Sequence, residues 1–221
     1  METKEAIRTR RSVKVFDPNY KVSDAQLQEL LELTTLAPSA WNFQHYQIIV
    51  VRDPEQKKRL RQASLNQEKV EQASVAIVIC GDLQAYKRAD RVAREFADKG
   101  FYGENGAEKV ETQAGMMHDT YANNPQKAYD EALRSASLAA MSLMIAANDM
   151  GLATCPMIGF DPEAVKKVTG LPEHLFPAIM ITLGAEGDFD LPRCDRLPLE
   201  EIVHVNHFGE AFRPNVENGR N

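Results

Sequence analysis

The sequence has few cysteines, one tryptophan and no long apolar run. Its three cysteines, Cys80, Cys155 and Cys194, are odd in number and far apart, which excludes a fully paired disulfide framework and the Cys-x-x-Cys spacing of a zinc or dithiol site. No stretch reaches the roughly 20 apolar residues that cross a bilayer, and the opening Met-Glu-Thr-Lys-Glu lacks the apolar centre of a signal peptide. A cytoplasmic protein without membrane contact is expected. A basic excess is missing too: 26 Lys and Arg against 32 Asp and Glu leave a net charge of -6 on 221 residues, which argues against a nucleic-acid partner. Repeats and low-complexity tracts are absent, and Gly and Pro are scattered. One domain, residues 1–221, is expected.

What is present is a globular mixture, 43% apolar and 26% charged, far from the composition of disordered chains. Ser23 with Gln26 forms a capping box ahead of Leu27, Leu30 and Leu31, predicting a helix that stops before Pro38. Asp53-Pro54-Glu55 and Asp161-Pro162-Glu163 predict two more helix starts, the second helix closing at Gly170. Apolar, β-branched runs predict strands at 47–51, 75–80 and 178–183, each buried on both faces. A helix over 129–150 is apolar on every side from Leu138 to Ala147, so it belongs at the centre of the domain or at a subunit interface. Residues 84–128 are charged and weakly periodic, predicting a helical excursion or lid, and 203–221 an arm or edge strand with a loose end.

Within an acidic chain, residues 1–14 carry five basic side chains against two acidic ones. The segment Arg10-Arg11-Ser12-Val13-Lys14 offers guanidinium forks and a hydroxyl suited to a phosphate, or else a solvated basic face. Pro192-Arg193-Cys194-Asp195-Arg196 supplies a second arginine pair. The loop from Pro38 to Gln44 suits a planar, heteroatom-rich ligand or an Asx-type turn around Trp41, and 151–159 is either a backbone bed for a flat ring or a connecting strand. The glycines of 100–106 lack phosphate-loop spacing, and Glu201, His204 and His207 do not make a metal site.

In order, spacing and residue type these segments resemble the nitroreductase family of FMN-dependent oxidoreductases, from about Thr3 to Val203. The resemblance implies an α+β fold, a mainly antiparallel central sheet flanked by helices, in an intertwined homodimer with two FMN sites at its interface. It implies that Arg10, Arg11, Ser12 and Lys14 grip the FMN phosphate and ribityl chain, with Arg196 joining at the phosphate. Pro38, Ser39, Ala40, Asn42 and Gln44 contact FMN from the other subunit, and Asn66 and Lys69 face the polar edge of the flavin. Pro156, Met157, Ile158 and Gly159 lie against the ring, while Trp41 and Phe43 border the substrate pocket. Lys14 and Lys69 tune the flavin by positive charge, and no side chain acts as nucleophile, acid or base.

Departures from the family pattern are His45-Tyr46 in place of Pro-Trp, Ile158 in place of Glu, and Cys194 where some members carry Lys. The last leaves open whether Arg193, displaced by one residue, shares the phosphate. The implied activity is hydride transfer from NAD(P)H through FMN to a nitroaromatic, quinone or similar small acceptor, in ping-pong fashion. The alternatives are a flavin carrier without turnover, or a flavin-fragmenting or dehalogenating relative.

Overall fold

The computed structural model describes residues 2–188 and 192–213, divided between two units, 1–189 and 190–221. In chain order the first holds α1 (Thr3–Thr9), α2 (Asp24–Thr35), β1 (Tyr46–Val51), α3 (Pro54–Ala63), α4 (Lys69–Gln72), β2 (Val75–Asp82), α5 (Ala89–Asp98), α6 (Val110–Ala122), α7 (Pro125–Asp149), β3 (Ala153–Met157), α8 (Pro162–Thr169) and β4 (Leu175–Gly184). The fold is α+β, built on an antiparallel sheet in the order β1-β2-β4-β3.

Local chemistry sets the helix starts. The Ser23 hydroxyl accepts the Gln26 N–H at 3.2 Å while the Gln26 side chain accepts the Ser23 N–H at 3.0 Å, closing the capping box of α2. Asp53 caps α3 through the Gln56 N–H at 2.8 Å, and Asp161 caps α8 through the Glu163 and Ala164 N–H groups at 2.9 and 3.2 Å. α8 ends at Gly170, whose φ of 68° is a left-handed turn that glycine adopts at least cost.

Side chains alternate across the sheet and bury against different layers. Val75, Ile77, Ile79, Ile181 and Leu183 pack with Leu27 and Leu30 of α2 and with Ala136, Ala139, Ala140 and Leu143 of α7. On the other face Ala76, Val78, Cys80, Cys155, Met157 and Met180 meet Leu60 of α3, Val165 of α8, and Val13 and Phe16. Burial pushes the Cys80 thiol up to about 12, leaving it an inert apolar group.

Two expectations are corrected. All of β2 is buried, but β1 is an edge strand with Gln47 exposed and residues 48–50 half-buried, because its outer side pairs with no strand among the described residues. The long helix starts earlier than residue 129: Asn124 accepts the Lys127 N–H at 3.0 Å and Pro125 takes the first helical position. Of the two settings expected for it, the domain centre does not hold for one face: in the single chain Leu138 and Met141 are 42% and 39% exposed, not fully covered by the described residues.

Residues 84–128 fold as a 3₁₀ turn at Ala85–Arg88, α5, a second 3₁₀ turn at Gly106–Lys109, and α6. Ala85, Ala89, Val92, Met117 and Tyr121 of this stretch close around Phe43. In the second unit α9 (Leu199–Ile202) precedes a single antiparallel bridge between His204 and Ala211. The part of the expected arm beyond residue 213 lies outside the described residues. Among the described residues no helix is long and apolar enough to cross a membrane.

Candidate active site

Three of the segments singled out in the sequence meet on one side of the first unit. α1 ends at Arg10 and is tied to α7 by Asn148, which donates to the Ala6 carbonyl at 3.0 Å and to the Thr9 hydroxyl at 2.8 Å. The chain then runs beside β3: Ser12 bridges Thr154 in parallel register, and the Val13 N–H donates to the Thr154 carbonyl at 3.0 Å. Val13 points into the core, so its neighbours Ser12 and Lys14 do not. Lys14 is exposed, with its ammonium 3.8 Å from the Cys155 sulfur. Arg10 and Arg11 are half-buried, and Arg11 lies 3.9 Å from Glu186.

β3 delivers Pro156 and Met157, and Ile158 and Gly159 follow directly. The turn after α3 comes to meet them: the Asp161 N–H donates to the Ala63 carbonyl at 2.8 Å, and the Gln67 side chain donates to the Gly159 carbonyl at 2.9 Å. Leu65 and Asn66 hold this turn at φ of 53° and 56°, a left-handed pair that Asn tolerates better than Leu. A Cβ at Gly159 would lie 3.4 Å from the Gln67 amide nitrogen and 3.9 Å from Leu65. Lys69 opens α4 two residues beyond Gln67 and is half-buried, whereas Asn66 is exposed. Leu65 and Ile158 are 74% and 78% exposed, so two aliphatic side chains stand uncovered in the same neighbourhood as a set of cationic and amide donors.

The loop from Pro38 to Gln44 is elsewhere. It leads into β1, the sheet edge opposite β3, about 14 Å away at a strand spacing of about 4.8 Å. Along the strands, Tyr46 pairs with Gly81 near the end of β2, whereas Thr154 is level with Val75 at its start and Met157 with Val78 in its middle. Ala40–Asn42 form a 3₁₀ turn, and the Ser39 hydroxyl accepts the Gln44 N–H at 2.8 Å. Trp41 packs edge-on against Phe43 and Tyr121, each at 5.8 Å, and Phe43 is fully buried. A groove of about 440 Å³ runs from Asn42 and Gln44 along Ile48 and Val50 to Arg91.

Arg193 and Arg196 belong to the second unit, on the exposed stretch before α9, where Arg196 donates to the Cys194 and Asp195 carbonyls at 3.0 and 3.3 Å. Two residues outside the sequence-derived set hold these loops in place, Gln67 at Gly159 and Arg88 at the carbonyls of Phe43 and Gln44. One signal for Arg88 is in the sequence: Asp82 ends a strand buried throughout, and an acid in that position requires a cation nearby.

A profile of the Nitroreductase family matches residues 7–185. YodC of Bacillus subtilis is 36% identical over 200 residues, which cover 90% of this chain and 96% of that protein. The NADH dehydrogenase of Thermus thermophilus is 35% identical over 207 residues, covering 92% and 95%. The crystal structure of YdfN from Bacillus subtilis superposes with a TM-score of 0.86 at 35% identity over 92% of this chain and 98% of that one. A protein of Exiguobacterium sibiricum solved in complex with FMN superposes with a TM-score of 0.82 at 27% identity, covering 93% and 97%. The chain therefore belongs to the nitroreductase family, whose enzymes are FMN-dependent NAD(P)H oxidoreductases.

Proposed function

We propose that this chain transfers hydride from NAD(P)H to a nitroaromatic, quinone or similar small acceptor in a ping-pong cycle. It does so as a homodimer with two FMN sites, each completed by loop 38–44 of the partner subunit. One observation carries the reading: segments 10–14, 65–69 and 156–159 assemble beside β3, while loop 38–44 stands at the opposite sheet edge. A single chain thus holds two halves of a site that do not face each other, as two half-sites shared between subunits require. The exposed Leu138 and Met141 on α7 offer an apolar face for the second subunit.

The donor set fits FMN. Arg10, Arg11 and Ser12 supply forked, charge-assisted donors and a hydroxyl for the phosphate and ribityl chain, with Arg196, and Arg193 beside it, as candidates at the phosphate. Lys14 and Lys69 carry positive charge, and Asn66 an amide, for the polar edge of the ring. The exposed Leu65 and Ile158 and the segment 156–159 offer an apolar bed that removes water from one face. When bound, FMN supplies the hydride-accepting and hydride-donating chemistry. The chain's own residues bind, orient and hold charge, and none has to act as a nucleophile or general base. Trp41 and Phe43 then border the acceptor's entrance.

Anaerobic addition of NADPH or NADH to the purified protein tests this reading. Rapid loss of the oxidised flavin absorbance, restored by a quinone after removal of the nucleotide, is expected. A protein that carries FMN and is not reduced by either nucleotide is a carrier, and the proposal fails.

A further inference from the structure

Loop 38–44 is an unfavourable stretch of backbone. Trp41, Asn42 and Gln44 all lie at positive φ, 49°, 55° and 51°, a region that a bulky residue such as Trp enters rarely and keeps only where its surroundings hold it. What holds it can be named. Inside the loop, the Ser39 hydroxyl accepts the Gln44 N–H at 2.8 Å, and the Gln44 amide donates to the Asn42 carbonyl at 3.0 Å. From outside comes Arg88, the last residue of the 3₁₀ turn that follows β2. One guanidinium nitrogen donates to the Phe43 carbonyl at 2.7 Å and to the Gln44 carbonyl at 2.9 Å, and the other donates to Asp82 at 2.6 Å.

The side chain of Asp82 is 5% exposed, and its other oxygen accepts the Gln84 N–H at 2.9 Å, so the anchor is itself fixed to the end of β2. One guanidinium nitrogen serves the two carbonyls and the other the carboxylate, so the rigid spread of the fork is used in full, and a lysine ammonium on a flexible stem does not reproduce that pattern. Tyr121 of α6 adds an aromatic wall against Trp41 and Phe43. Both supports come from residues 84–128, the stretch expected from sequence to be an excursion or lid.

We propose that Arg88 is a positioning residue of the FMN site. It clamps the carboxyl-terminal limb of loop 38–44 to β2, so that Pro38, Ser39 and Ala40 are presented to the cofactor in one conformation. The inner side of the 84–128 stretch is then a brace for the cofactor loop. This inference rests on the reading above that the loop contacts FMN.

The test compares the wild-type holoprotein with Arg88→Lys and Arg88→Met. FMN release on dilution is followed by the recovery of free-flavin fluorescence, the visible circular dichroism of the bound flavin is recorded, and thermal unfolding is measured alongside. Arg88→Lys keeps a cation beside Asp82 and is expected to stay folded. With the fork gone it should release FMN on the order of tenfold faster, as expected from weakening charge-assisted hydrogen bonds, and alter the flavin dichroism; Arg88→Met should go further in both. Folded variants that lose thermal stability but keep the wild-type release rate and dichroism overturn the proposal, because Arg88 is then structural only. If Arg88→Met does not fold, Arg88→Lys decides alone. Wild-type protein that takes up no FMN overturns the parent reading together with this one, whereas wild-type and variant proteins that bind FMN identically overturn this one alone.

Discussion

The Gln67 amide nitrogen donates to the Gly159 carbonyl at 2.9 Å, joining two segments 92 residues apart in the chain. That bond holds the turn carrying Asn66 and Lys69 against the strand end carrying Met157 and Ile158. Gln67→Ala removes the donor from a half-buried site and should cost about 1 kcal/mol of stability, with FMN binding weakened severalfold. Gln67→Glu, which faces a carboxylate toward a carbonyl, should be worse in both respects. Urea unfolding and FMN titration check the pair, and wild-type values in both variants would remove Gln67 from the account.

The proposed function gives phosphate recognition to arginines from the two ends of the chain. Arg10→Ala combined with Arg196→Ala should lower FMN affinity by on the order of a hundredfold or more, given about 1.5–3 kcal/mol for each hydrogen bond to a charged group. Riboflavin, which lacks the phosphate, should bind the variant and the wild type almost equally. A double variant that keeps FMN through gel filtration contradicts the assignment.

In the proposed function Lys69 serves the flavin edge as a charge, so its removal should affect rate more than retention. Lys69→Met should keep FMN and slow flavin reduction by NADPH by on the order of ten- to a hundredfold, the loss of one electrostatic interaction stronger in the transition state. Stopped-flow reduction at saturating nucleotide checks this. Unchanged reduction moves the role to Lys14, whose methionine variant is the companion measurement.

His45, directly after loop 38–44, makes this end of β1 acid-sensitive. It is 2% exposed, its Nδ1 lies 3.4 Å from the Ser135 hydroxyl, and the rings of Phe43 and Tyr121 flank it at 5.4 and 5.3 Å. Burial first, and then the Arg88 guanidinium, against a smaller opposing pull from Asp82, lower its pKa from 6.5 to about 4. The folded chain therefore binds fewer protons than the unfolded chain between these values. The stabilisation is fully present above pH 6.5 and is lost as pH falls toward 4. At about 1.4 kcal/mol per unit the total is on the order of 3 kcal/mol. Denaturant unfolding over this range should show a shallower pH slope in His45→Gln than in the wild type, and equal slopes would exclude His45 as the source.

Much of the fold is legible because its determinants are local. Ser23, Asp53 and Asp161 mark their helices by capping chemistry that neighbouring residues complete, and the β-branched runs mark β1, β2 and β4. β3 stays ambiguous in sequence because it is short and carries Pro156, which an edge strand tolerates. The start of α7 is hidden from a reading by apolar content, since the Asn124 cap and Pro125 are followed by mostly polar residues, Gln126, Lys127, Asp130 and Glu131 among them. Its exposed Leu138 and Met141 are hidden for another reason: a helix apolar all round looks the same whether its own chain or a second one covers it. In the site, charge contrast exposes Arg10 to Lys14 directly. Arg88 is signalled only through Asp82, because its other two acceptors are backbone carbonyls, which leave no mark on the sequence.

The central claim is that each FMN site takes its phosphate grip from one subunit and loop 38–44 from the other. Two variants, each unable to bind FMN as a homodimer, test it most directly: Arg10→Ala with Arg11→Ala, and Pro38→Glu with Ala40→Glu. In a mixed dimer one site combines both lesions and the other combines two intact halves. Co-expressed, differently tagged chains isolated as the heterodimer should therefore carry one FMN per dimer and recover NADPH-dependent quinone reduction. A heterodimer as colourless and inactive as either parent would mean that both halves come from the same chain, and would contradict the account.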